Sequence, residues 1–172
     1  MKFTRPSVLA GKARRISDQT GGNDDAHRLM KGAIEGIAAV LNEDQVIDSI
    51  NSVAGTAAGS LEEFFDSDGA TTDILAVTTG AEGEVDLMVK IYEALYDLWK
   101  ESQAAAGALG CEPKDLGRNF VQNVKATYEG SPLPALRAKL RTLRSSLARR
   151  NDVEVAEEID SIRAYLAIRR HQ

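Results

Sequence analysis

The sequence predicts a mostly α fold with a minor β component (α+β): a compact acidic helical body followed by a C-terminal αα-hairpin. Three observations carry that prediction. Apolar residues recur at steps of three and four along most of the chain, as they do on one face of a helix. A single stretch, Thr71 to Thr79, is enriched in β-branched residues and bounded by Gly69 and Gly80. After the break Gly130-Ser131-Pro132-Leu133-Pro134, two narrow apolar seams of equal length follow one another.

Each element follows from local chemistry. Gly21-Gly22-Asn23 reads as a hinge ending in an N-cap, and Met30, Ile34, Ile37 and Leu41 make one face of a helix over 24–41. Asn42 with Gln45, and Ser60 with Glu63, have the spacing of capping boxes. They open a second helix burying Val46, Ile47, Ile50 and Val53, and a third carrying Leu61, Phe64 and Phe65. The β-branched stretch reads as a strand whose mate is the Lys2-Phe3-Thr4 region, an unrecognised strand, or the same strand of a second subunit. The longest helix runs from about Glu84 to Ala105 with Val85, Met88, Tyr92, Leu95 and Trp99 along one side. Another starts near Pro113 and turns Leu116, Phe120, Val124 and Tyr128 inward. In the hairpin, Leu136, Leu140, Leu143 and Leu147 form one seam, and Val155, Ile159, Ile162 and Leu166 the other, resembling a coiled coil but under two heptads long.

Charge divides the chain into three. Residues 1–22 form a basic flexible arm, with 5 Lys or Arg against 1 acid. Residues 23–129 form an acidic globular body, with 7 against 20. Residues 130–172 form a basic helical tail, with 9 against 5. The first 17 residues lack acids, as transit peptides do, but Pro6 and Gly11 interrupt an amphipathic helix, so an arm is the plainer account. Apolar residues at 43% suffice for a core, and aromatics at 5% make it aliphatic. The single cysteine, Cys111, excludes an internal disulfide and points to a reducing compartment. No run of about 18 apolar residues exists to span a membrane.

Chemistry-bearing constellations are few. Arg137, Lys139, Arg141, Arg144, Arg149 and Arg150 form an acid-free run, and Arg137, Arg141 and Arg144 line up beside the leucine seam, where a phosphate backbone can meet several guanidinium groups. The competing reading is that these cations solvate the hairpin or pair with the acidic body. Gly80-Ala81-Glu82-Gly83 sits where a phosphate loop would lie between strand and helix, but Glu82, Glu84 and Asp86 repel phosphate. Asp66, Asp68 and Asp73 suggest a cation loop, yet Thr71 and Val77 stand where an EF-hand requires Gly and Glu. His27 and His171 make no set with Cys111, which reads as a partly buried small residue in a loop, and no Gly-x-Ser-x-Gly element occurs. No catalytic residue, metal site or cofactor is expected.

The break Tyr128-Glu129-Gly130-Ser131-Pro132 and the Arg137 to Arg150 run, in a chain of this size, resemble the layout of the minor inner-capsid proteins of segmented double-stranded-RNA bacteriophages. The resemblance is one of size and layout, with no shared motif. It implies an α/β core that dimerises, an RNA-facing role in core assembly and genome packaging, and no catalytic residues.

The functional expectation is a non-catalytic assembly or scaffolding protein, a homodimer, whose basic tail contacts RNA or an acidic protein surface among other subunits of an assembly. Leu136, Leu140, Leu143 and Leu147 would make a helix interface. The expected location is the cytoplasm, or the virion interior for a viral protein. The alternative is a protein-interaction module (chaperone, adaptor or inhibitor) with no nucleic-acid role. A small metal-dependent enzyme acting through Asp66, Asp68 and Asp73 is a third reading.

Overall fold

The computed structural model describes residues 2–20, 24–66 and 70–170, with side chains described for all of these except Thr20, Asp66 and 70–82. Eight α-helices and one 3-10 turn account for the regular structure among them: α1 (Pro6–Thr20), α2 (Asp24–Ala38), α3 (Glu43–Ala54), α4 (Leu61–Asp66), α5 (Ala70–Leu109), the turn Pro113–Asp115, α6 (Phe120–Tyr128), α7 (Leu133–Arg150) and α8 (Val153–Arg170). The chain divides into two units, Met1–Trp99 and Lys100–Gln172, so α5 contributes its residues to Trp99 to the first and the remainder to the second.

No strand occurs among the described residues, which corrects the α+β expectation: 71–79 is the beginning of α5. Thr, Val and Ile cost a helix only about 0.5 kcal/mol each relative to Ala, and even a glycine such as Gly80 or Gly83 costs about 1 kcal/mol. A lone strand would leave a row of unpaired N–H and C=O groups, whereas a helix satisfies them within the segment. The helix therefore continues through a stretch of β-like composition. The α/β core implied by the phage-protein resemblance and the strand-to-helix phosphate loop at 80–83 fall with it. The proposed hinge at Gly21-Gly22-Asn23, together with Gly69 and His171, lies outside the described residues.

In the first unit, caps mark the helix starts. Asn42 Oδ1 accepts the Gln45 N–H at 3.1 Å, and Ser60 Oγ accepts the Glu63 N–H at 3.0 Å, while Glu63 reaches back to the Gly59 N–H at 2.9 Å. Asn51 organises the loop after α3: its amide donates to the Ala58 carbonyl at 2.8 Å, and its Oδ1 accepts from Thr56 Oγ1 at 2.8 Å and the Ala58 N–H at 3.0 Å. The core is aliphatic, built from Met30, Ile34 and Ile37 of α2, Val46 and Ile50 of α3, Phe64 of α4, and Met88, Ile91, Tyr92 and Leu95 of α5. Residues 6–20, expected within a flexible arm, form α1, which buries Leu9 and Ala13 in that core. Pro6 occupies the first helical position, where its missing N–H costs nothing, so it starts the helix rather than breaking one.

In the second unit, α5 ends at Gly110 (φ 73°), and the Cys111 N–H returns to the Ala106 carbonyl at 3.0 Å, as in a Schellman stop. The helix expected from Pro113 is a 3-10 turn followed by α6, with Leu116, Val121, Val124 and Tyr128 buried. α7 and α8 do form a hairpin pair joined by Asn151-Asp152, but they share one core with α6 and the end of α5. The sequence-based boundary at 129/130 thus lies inside this unit.

Candidate nucleic-acid interface

α7 is terminated on both sides by local chemistry. Pro132 precedes it, Leu133-Pro134 occupies its first turn, and Asn151 closes it in the left-handed region (φ 30°), with its N–H donating to the Leu147 carbonyl at 3.1 Å. Asp152 Oδ1 then accepts the Glu154 N–H at 2.9 Å and starts α8. Leu136 and Leu140 are buried, and Leu143 and Leu147 are half-buried against the same core. The leucine seam is therefore covered within the chain at Leu136 and Leu140 and only partly at Leu143 and Leu147.

The six cations of the run separate by position. With about 100° between successive residues, Arg137, Arg141 and Arg144 fall within an arc of about 60° on one flank of the seam, and Lys139 falls on the other. Lys139 Nζ pairs with Glu158 Oε1 of α8 at 2.7 Å, with side-chain exposures of 53% and 36%. That hydrogen bond and the Glu158 charge hold the ammonium above its ordinary 10.5. Arg137, Arg141, Arg144, Arg149 and Arg150 are all exposed, and among the described residues none has an acid within 4.0 Å. Arg149 and Arg150 stand in the last turn of α7, where cations complement the helix dipole.

Buried beneath the Lys139 flank, Tyr128 packs against Tyr165 with ring centroids 5.6 Å apart and the rings tilted by 49°. Burial raises the Tyr128 phenol, the Glu158 charge raises it further, and Lys139 opposes both. This cluster ties α6, α7 and α8 together.

Elsewhere, His27 Nδ1 lies 3.0 Å from Glu84 Oε1, linking α2 to α5. Cys111 is exposed, not partly buried as expected. Asp68 lies outside the described residues, as do the side chains of Asp66 and Asp73. Among the described residues no group of three His, Cys, Asp or Glu side chains is placed to hold a metal, and no helix is long and apolar enough to cross a membrane. A cleft of about 580 Å³ in the second unit is lined by small residues, Ala104, Gly107, Ala108 and Ala167, and by Lys100 and Arg170. It stands at the C-terminal ends of α5 and α8, where the helix dipole opposes an anion.

The geometry defines a class only broadly: an all-helical protein, among the described residues, with a cationic unit attached to an acidic one. Residues 1–99 carry 8 Lys or Arg against 17 acids, net −9, and residues 100–172 carry 13 against 9, net +4. No protein-family model, curated protein or solved structure matches this chain.

Proposed function

We propose that this chain is a non-catalytic assembly or scaffolding protein whose second unit binds RNA through the arginine flank of α7. The observation that carries the reading is the set of five exposed arginines on α7 with no acid beside them among the described residues. Guanidinium groups left without carboxylates keep their donors for phosphate oxygens, which they can engage in bidentate fashion. Lys139, held by Glu158, contributes to the hairpin instead. The layout shared with the phage inner-capsid proteins supports a role in assembly with a homodimer as the unit, although the folds those proteins imply and the one found here differ.

Fluorescence anisotropy of a labelled RNA against the full chain, across a salt series, tests the reading. Removing residues 130–172 is the wrong probe, because Leu136, Leu140, Ile159, Ile162 and Ile168 belong to the core of the second unit. Reversal of Arg141 and Arg144 to Glu changes only exposed positions. Affinity should fall at least tenfold and the steep salt dependence should flatten. Equal binding by wild type and the double variant would refute the proposal, and a co-purifying stoichiometric protein in place of nucleic acid would point to the protein-interaction alternative.

A further inference from the structure

The aromatic residues bear on which form of nucleic acid the arginine flank takes. All nine rings of the chain, four Phe, four Tyr and one Trp, are buried or half-buried. In the second unit they are Phe120, half-buried, and Tyr128 and Tyr165, both buried in the core. Proteins that hold single strands combine a cationic groove with exposed aromatic side chains on which unpaired bases stack, each stack contributing about 1–3 kcal/mol. Among the described residues the protein offers the cations without an exposed Phe, Tyr or Trp ring to stack on.

What it offers instead is a rigid row. Arg137, Arg141 and Arg144 are fixed on one helix with axial steps of about 6 and 4.5 Å. Between and beside them the exposed positions are Pro134, Ala138, Ser145 and Ala148, none of which projects past a guanidinium. The flank can therefore approach a backbone closely. A duplex presents a regular wall of phosphates, one per about 3.4 Å of axis along each strand, that such a row can meet without any base being exposed.

Resting on the RNA-binding reading above, we infer that the ligand of the α7 flank is a nucleic-acid duplex, gripped by its phosphate backbone without regard to sequence. Duplex RNA and duplex DNA share this chemistry; the 2′-hydroxyl and the A-form groove distinguish them.

The test is anisotropy with the full chain and three labelled probes of about 20 residues per strand: duplex RNA, duplex DNA of the same sequence, and one of the RNA strands in an unstructured sequence. The duplexes should bind at least tenfold tighter than the single strand. Arg141→Glu with Arg144→Glu should remove that advantage and lower the magnitude of the log–log salt slope by about 2, near 0.9 for each phosphate no longer neutralised. Lys12→Glu with Lys114→Glu, the same charge change at exposed positions outside the α7 segment, should leave duplex affinity within about threefold. Circular dichroism of each variant confirms the helical fold. Equal affinity for the two duplexes assigns the grip to phosphates alone, and preference for duplex RNA assigns it to A-form geometry; both support the inference. Tighter binding of the single strand, with weakening on arginine reversal, would overturn the duplex inference while leaving the RNA-binding reading intact. No binding of any probe at 50 mM salt, about the lower end of a useful salt series, would overturn both.

Discussion

Arg163 Nη2 on α8 donates a 2.6 Å hydrogen bond to the Ala108 carbonyl, one of the last four carbonyls of α5, which have no acceptor role left within the helix. Two residues 55 positions apart are thereby joined, and a helix end is satisfied by a side chain from another element. The cation also sits favourably at the negative end of the α5 dipole.

Arg163→Met should destabilise the second unit by about 1–2 kcal/mol, since a charge-assisted hydrogen bond is removed while the aliphatic stem is kept. The Asp160 ion pair at 4.0 Å is exposed and adds little. Urea unfolding followed by circular dichroism reads this directly. Nucleic-acid affinity should stay unchanged, because Arg163 is not on the α7 flank.

Tyr92 donates its hydroxyl to the Thr4 carbonyl at 2.6 Å, anchoring the segment before α1 to α5. Burial, with a smaller contribution from Tyr96, raises its pKa above 10.0, and burial likewise raises Tyr128. In each case the folded chain holds its proton after the unfolded chain has released it. Stability from these groups is therefore fully present below about pH 10 and is lost as pH rises through the raised values. Lys139, raised above 10.5, adds to the same alkaline limb. Denaturant midpoints should be flat in these groups' contribution near neutrality and fall above pH 10. Tyr92→Phe should lower the neutral plateau by about 1 kcal/mol and make the alkaline fall shallower.

Asn51 makes three hydrogen bonds to the loop 56–58. Asn51→Ala strips them all and should cost about 2 kcal/mol. Hydrogen exchange should show the Ala58 amide losing protection while the α7 amides keep theirs.

Ser102 is 1% exposed, and its hydroxyl has no hydrogen-bond partner among the described residues. Ser102→Ala removes a buried polar group without opening a large cavity. Stability should be unchanged or should rise by about 1 kcal/mol. A drop above 1 kcal/mol by thermal unfolding would show that the hydroxyl is satisfied in solution.

α2, α3 and α4 were legible in the sequence because their signals are local. Asn42 and Ser60 cap the turns that follow them, and the apolar steps of three and four become the buried faces of Met30, Ile34 and Ile37 or Val46, Ile47 and Ile50. The arginine run was equally visible, since it needs only the order of residues. Its division was not: Lys139 leaves the set because Glu158, nineteen positions on in the sequence, arrives beside it only when α8 packs against α7.

The order of residues by itself determined the capped starts of α3 and α4, the basic–acidic–basic charge layout and the leucine seam. The tertiary structure decided the rest. Thr71 to Thr79 became helix because propensity differences of a few tenths of a kcal/mol yield to the satisfaction of every backbone group in a continuous α5. Residues 6–20 became α1 because Leu9 and Ala13 find a core to enter. α8, read as a single seam of Val155, Ile159, Ile162 and Leu166, also buries Ala164, Tyr165 and Ile168. A helix buried on more than one side has no single apolar stripe to read, so its place in the second unit is set by the neighbours that cover it.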